Sequence, residues 1–248
     1  MAVRKAGRIA TAVAAAALIG VGAAACGPDD GGSGKKDSSA SAEQSAPEAK
    51  APPHGAELGK VPAKVNGGVI TVGDPKAKHT VKIYEDARCP FCAKFEANGA
   101  QALVKPVTEG KVKIEYTIAS FLDKNLGGSG SVNAANALRA SVDAGKFAEF
   151  HAGVFGNQPE EESDDVYTPA FLLKIADKVD GLRGPAFDKA VKNNSYESWT
   201  EEAMKSFQKD GVQATPNVLI DGEKVPGDGS AMFSESEFAK VLKDQGIG

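Results

Sequence analysis

Residues 80–118 change periodicity twice, and that change constrains the fold more than any other feature of the chain. Thr80-Val81-Lys82-Ile83-Tyr84-Glu85 alternates with period two, as a strand does. From Cys89 to about Lys105 the apolar residues Phe91, Phe95, Leu103 and Val104 sit among helix formers, and Pro90 lies one residue inside the start, where its missing N–H costs nothing. Lys111 to Ile118 alternates again, with Val112, Ile114, Tyr116 and Ile118 on one face. Two strands on either side of a helical crossover pair in parallel with a right-handed connection, which places the chain in the α/β class.

The flanking segments extend this unit. Val69-Ile70-Thr71-Val72 is a short strand closed by Gly73-Asp74-Pro75. The loop Leu126-Gly127-Gly128-Ser129-Gly130 opens a helical insertion at about 126–210, with helices predicted at Ser131–Ala144, Lys146–Val154, Pro169–Val179, Pro185–Asn193 and Tyr196–Lys209. Strand pattern returns at Val218-Leu219-Ile220, followed by the hairpin signal Asp221-Gly222 and then Glu223-Lys224-Val225. Ser234 with Glu237 forms a capping box for a last helix whose buried stripe is Phe238, Val241 and Leu242. His151, among Phe147, Phe150 and Phe155, reads as a packed or half-exposed structural histidine, and His54 as solvated. The acidic run Glu160-Glu161-Glu162 with Asp164-Asp165 lacks the glycine spacing of a calcium loop and reads as a solvated loop.

The N-terminus has a different character. Arg4, Lys5 and Arg8 precede an uncharged, Ala-rich stretch from Ile9 to Ala25, the pattern of a signal peptide over residues 1–25. Its apolar part is shorter than the ~20 residues a membrane-spanning helix needs. At its end, Ala23-Ala24-Ala25-Cys26 resembles the lipobox of bacterial lipoproteins, which implies lipid attachment at Cys26; an ordinary signal cleaved nearby and an uncleaved anchor are the other readings. Residues 27–56 contain no aromatic or β-branched residue and cannot bury enough apolar surface to offset their ordering entropy. The expected organisation is a signal at 1–25, a lipidated cysteine with a disordered tether at 26–60, and one folded domain at 61–248. A coil of about 30 residues spans roughly 30 Å, enough to hold a domain clear of a lipid surface.

The chemistry is concentrated at Cys89-Pro90-Phe91-Cys92. Two cysteines three apart at a helix start place both sulfurs within bridging range. The helix N-terminus stabilises a thiolate on Cys89, which becomes nucleophile and leaving group; Cys92, one turn in, is the resolving thiol. A zinc site would need further ligands from His54, His79, His151 or carboxylates that stand in no ligand spacing, so no metal or other cofactor is expected. A purely structural disulfide over so short a loop would add little stability.

Asp86-Ala87-Arg88-Cys89-Pro90-Phe91-Cys92 at a strand-to-helix junction, the helical insertion, and Ala214-Thr215-Pro216-Asn217 entering a late strand together resemble the DsbA-like branch of the thioredoxin superfamily over about residues 65–245. The resemblance implies a thioredoxin-like fold, a central mixed sheet flanked by helices with a large helical insertion. It implies a cis Pro216 beside the active-site sulfurs and a Thr215 backbone that pairs with an extended substrate peptide. Two departures stand out. Strongly oxidising members carry Pro-His between the cysteines, whose imidazole helps hold the thiolate, whereas this chain has Phe91. Many members bury a carboxylate six residues before the first cysteine, where this chain has Ile83; Asp86 is then a candidate proton acceptor.

Composition excludes some functions. The 248 residues carry a net charge of −4, and without Arg4, Lys5 and Arg8 the 29 basic side chains fall to 26 against 33 acidic ones, a net of −7. No basic field grips nucleic acid. The expected protein is an extracytoplasmic thiol:disulfide oxidoreductase acting on exported proteins with cysteine thiols or disulfides, more as an oxidase than a reductase. It would be tethered by lipid to the outer face of the bacterial cell membrane, or else secreted or periplasmic, and reset by a membrane redox partner. The alternatives are a reductase or isomerase fed by a membrane electron donor, and a non-catalytic, lipid-tethered peptide-binding module.

Overall fold

The computed structural model describes residues 47–248, so the expected signal and Cys26 lie outside the described residues, as does the first part of the expected tether. From residue 49 the chain lies against the domain: Ala49 is buried, and Lys50 exchanges two backbone hydrogen bonds with the Asn157 side chain. A short helix α1 (Gly55–Leu58) leads into strand β1 (Ala63–Asn66).

β1 pairs antiparallel with β2 (Val69–Val72) across Gly67 and Gly68. Next come β3 (His79–Asp86), helices α2 (Pro90–Ala97) and α3 (Gln101–Thr108), and β4 (Val112–Ala119). β3 and β4 are parallel, with Ile83 opposite Tyr116, as the crossover requires. The sequence predicts one helix from 89 to about 105, but the chain breaks it at Asn98–Ala100. Gly99 lies at the break, where a Cβ would collide with the backbone carbonyl of Met232, so this close approach needs glycine.

The insertion follows as α4 (Leu122–Leu126), α5 (Gly130–Asp143), α6 (Phe147–Gly156), α7 (Pro169–Ala176), α8 (Pro185–Lys192) and α9 (Glu197–Lys209). α5 is buried along most of its length because Ala134, Ala135, Ala137 and Ala140 admit neighbours closely. Its buried amides are satisfied: Asn133 donates to the Tyr167 carbonyl, and Asn136 donates to the Ala190 carbonyl while accepting from the Tyr196 N–H.

β5 (Asn217–Ile220) and β6 (Glu223–Lys224) form the expected hairpin, with positive φ at both Asp221 and Gly222. A 3₁₀ turn (Ser230–Phe233) precedes α10 (Glu235–Asp244), whose Ser234 hydroxyl accepts from the Glu237 N–H. The strands lie in the order β1-β2-β4-β3-β5-β6, a mixed sheet flanked by helices. Around β3, Tyr84 on one face meets Phe207 of α9, while Glu85 on the other meets His151 of α6.

Candidate functional site

The C-terminal end of β3 carries the chain into α2, and this junction builds the site. Cys89 is the N-cap residue with extended backbone, Pro90 takes the first helical position, and the amides of Cys92 and Ala93 bond the Cys89 carbonyl. Both cysteines are free thiols, Cys92 fully buried and Cys89 nearly so, while Phe91 between them is 59% exposed. The Phe91 ring lies 6.2 Å from that of Phe233, over which Lys94 sits at 5.1 Å.

The Thr215–Pro216 peptide bond is cis, and Thr215 lies against the cysteines: the Cys89 thiol donates to its carbonyl at 3.3 Å. The fold therefore brings Cys89, Cys92 and Thr215 together from positions more than 120 residues apart. The Cys89 thiol is lowered to about 6, first by hydrogen bonding from Cys92, against an opposing desolvation; the Thr215 side chain and the Cys92 and Phe91 amides add to the lowering. Burial pushes Cys92 well up. The two sulfurs thus divide into an ionised and a protonated one at neutral pH.

This division has a direct chemical test. Alkylation of the reduced protein by iodoacetamide at Cys89 should rise about tenfold per pH unit below about 6 and level off above pH 7. Cys92 should stay unmodified throughout. A rate that climbs through pH 8–9 instead would show that the Cys89 thiolate is not stabilised.

Asp86, the candidate proton acceptor of its spacing, is held at the junction by three hydrogen bonds. One of its oxygens accepts from the Arg88 N–H at 3.0 Å and the Ser131 hydroxyl at 2.6 Å, and the other from the Leu122 N–H at 3.2 Å. Its carboxyl is raised to about 6, chiefly by burial, and it holds three segments around the junction. Arg88 is a second organiser. Its buried guanidinium pairs with Asp123 at 2.9 Å and bonds the carbonyls of Gly127, Glu162 and Ser163. The acidic run is exposed, as expected of a solvated loop, while Arg88 ties its backbone down and Asp165 accepts from the Ser129 N–H.

Behind Cys92 lies a group that the sequence reading missed. Glu85 of β3, Glu96 of α2 and His151 of α6 converge, with His151 Nε2 2.5 Å from Glu85 and its Nδ1 3.9 Å from Glu96. Burial raises Glu85 strongly and Glu96 to about 8, and it lowers His151. The available signal was Glu85 itself, which alternation places on the same inward face as Val81 and Ile83.

A family model described as Thioredoxin matches residues 65–244. The serine/threonine-protein kinase PknE of Mycobacterium tuberculosis is 27% identical over 142 residues, covering 54% of this chain. The chain spans about a quarter of the length of the curated relatives it matches. Similar solved structures include MdbA, a thiol-disulfide oxidoreductase from Corynebacterium matruchotii, at TM-score 0.55 and 23% identity over 71% of this chain and 94% of that one. DsbA from Mycobacterium tuberculosis in its reduced form reaches TM-score 0.57 and 24% identity over 73% and 93%. BdbD from Bacillus subtilis reaches 0.57 and 21% over 81% and 98%. These likenesses establish the fold.

Proposed function

Since the chain belongs to the thioredoxin family, we propose that it is a thiol:disulfide oxidoreductase working through Cys89 and Cys92 as a disulfide donor to exported proteins. The observation that carries this reading is the unequal pair: Cys89 at about 6 beside a fully buried, protonated Cys92.

The steps follow from that inequality. A substrate thiolate attacks the Cys89 sulfur of the oxidised pair, the Cys89–Cys92 bond breaks, and Cys92 leaves and takes a proton. A second substrate thiolate then attacks the substrate sulfur of the mixed disulfide, and Cys89 leaves as a stable thiolate. The substrate gains a disulfide and the pair gains two electrons, which a membrane redox partner removes. Thr215 and Pro216 border the sulfur, where the Thr215 backbone can align an extended peptide. The arrangement around the domain is part of the same proposal: residues 1–25 act as an export signal, Cys26 carries lipid, and the segment after it tethers the domain outside the membrane, supported by the charge and composition pattern of residues 1–56.

Magnitude bears on direction. Holding a thiol at about 6 instead of 9.0 ionises it almost fully at pH 7. That stabilises the reduced pair by about 1.4 kcal/mol, which raises the potential by ~30 mV. The sign is that of any depressed acid: the stabilisation of the reduced, folded protein is full above pH ~9 and disappears as pH falls through about 6. This favours donation of the disulfide, although Phe91 supplies none of the help an imidazole gives.

The experiment is an exchange assay with a reduced, unfolded polypeptide in excess over the oxidised full chain, with the potential measured against glutathione. Stoichiometric transfer and a potential well above thioredoxin's ~−270 mV, toward ~−120 mV, is the expected result. A value near −270 mV would instead assign the chain to reduction fed by a membrane donor, and no transfer in either direction would leave peptide binding as its role.

A further inference from the structure

We propose that Glu85, Glu96 and His151 form a binding site for a divalent transition ion of the zinc class, set into the core behind the cysteine pair. Each residue comes from a different element, β3, α2 and α6, and each offers one ligand atom, all within 4.8 Å of one another. Spacing in the sequence hides this set, because 85, 96 and 151 share no local motif.

The donors are unfinished as a hydrogen-bonded cluster. Glu85 is completely buried, yet its Oε2 has no hydrogen-bond partner, and neither has the buried Oε1 of Glu96. His151 faces both acids as a neutral ring, its Nε2 2.5 Å from Glu85 and its Nδ1 3.9 Å from Glu96. In a low-dielectric core these two acids stay neutral by keeping protons, and one dication can displace those protons, balance both carboxylates and occupy both orphaned oxygens. The rings of Tyr116, Phe147 and Phe155 lie 4.5, 5.3 and 4.9 Å from the imidazole and restrict its position.

The site also has an open side. A cavity of about 50 Å³ is lined by Glu96, His151, Tyr116 and Gln101, and Gln101 Oε1 is another buried oxygen without a partner. That volume admits a few waters, enough to complete a four- or five-coordinate shell, since one water needs only ~10–15 Å³. The donor chemistry selects the ion. One imidazole nitrogen with carboxylate oxygens suits zinc and its neighbours, whereas magnesium and calcium sites are built from oxygen alone. Coordination at ~2.0–2.2 Å separates the ligand atoms further than the 2.5 Å hydrogen bond between His151 and Glu85, so loading replaces that bond by two metal bonds.

The probe is zinc, and the protein is the full chain carrying Cys26→Ser, Cys89→Ser and Cys92→Ser, so that thiolates cannot bind it. Dialysis against micromolar zinc followed by metal analysis should give close to one equivalent, with a rise in melting temperature and an X-ray absorption spectrum showing nitrogen and oxygen ligands only. Glu96→Gln, which keeps the shape of the side chain, should weaken binding at least tenfold, as should Glu85→Gln. Less than a tenth of an equivalent overturns the proposal and leaves protons as the neutralising charge. One equivalent bound equally well by both Gln variants overturns it too, because the ion then sits elsewhere. The unmodified chain binding zinc through sulfur while the serine variant binds none has the same meaning.

Discussion

Replacing Cys89 with Ser removes disulfide exchange, by at least about a thousandfold, while replacing Cys92 with Ser leaves a protein that captures its substrate and cannot let go. The asymmetry follows from the two environments. Cys89 caps α2 beside Thr215 and the exposed Phe91, and is the sulfur held as thiolate at neutral pH. Cys92 is fully buried and its thiol is pushed well up, so it neither meets an incoming sulfur nor ionises to attack a free one. With Ser at 89 no thiol at the surface of the described residues can form the mixed disulfide. With Ser at 92, Cys89 still forms one, but the intramolecular resolving attack is gone. Non-reducing electrophoresis and intact mass after incubation with a disulfide-bonded peptide distinguish the outcomes: an accumulating adduct in Cys92→Ser, none in Cys89→Ser. Residual exchange through Cys92 in the Cys89→Ser variant would overturn the assignment of roles.

What could be read from the sequence was local. β3, α2 and β4 announce themselves because period two and helical spacing are carried by neighbours such as Val81 and Ile83 or Val112 and Ile114, and the capping box at Ser234 and the Asp221-Gly222 turn are equally short-range. The Cys89–Cys92 roles belong to the same kind, since a helix start orders the two sulfurs by itself. What was missed depends on tertiary approach. The break after α2 falls where the Met232 carbonyl, more than 130 residues away, comes up against Gly99, an approach that no local pattern shows. β1 is too short and too polar to show a pattern, and only its pairing with β2 makes it a strand. No local pattern marks Arg88 as buried, because its partners are the carbonyls of distant loops at Gly127, Glu162 and Ser163. The convergence of Glu85 with Glu96 and His151 needed the sheet, α2 and α6 to be placed first.

Arg88 is also where the largest loss of stability is expected. Its guanidinium is almost completely buried, and Asp123, its closest charged partner, is nearly so. Asp123 does more than balance the charge. Its oxygens accept the N–H groups of Ser131 and Val132, so the same carboxylate caps the N-terminus of α5, the helix at the centre of the insertion. Removing the cation therefore strands a buried carboxylate and also frees the Gly127, Glu162 and Ser163 carbonyls that it ties down. Breaking a buried pair from one side costs about 3–5 kcal/mol. For a domain of this size that lowers the melting temperature by roughly 10 °C, since each kcal/mol is worth about 2–4 °C. Arg88→Met keeps most of the buried volume and isolates the charge effect from a cavity. Adding Asp123→Asn should recover part of the loss, because the amide oxygen still caps α5 while no unpaired charge remains; a double-mutant cycle by chemical denaturation measures that coupling. The effect should also reach the cysteine, because Arg88 precedes Cys89 and the loop it clamps is continuous with Gln158, whose side chain donates to the Ala87 and Cys89 carbonyls. In Arg88→Met the alkylation midpoint of Cys89 should therefore move up from about 6 along with the fall in stability. A variant that loses less than about 1 kcal/mol, within the range of an exposed pair, would show that the clamp is solvated and that Asp86 alone organises the junction.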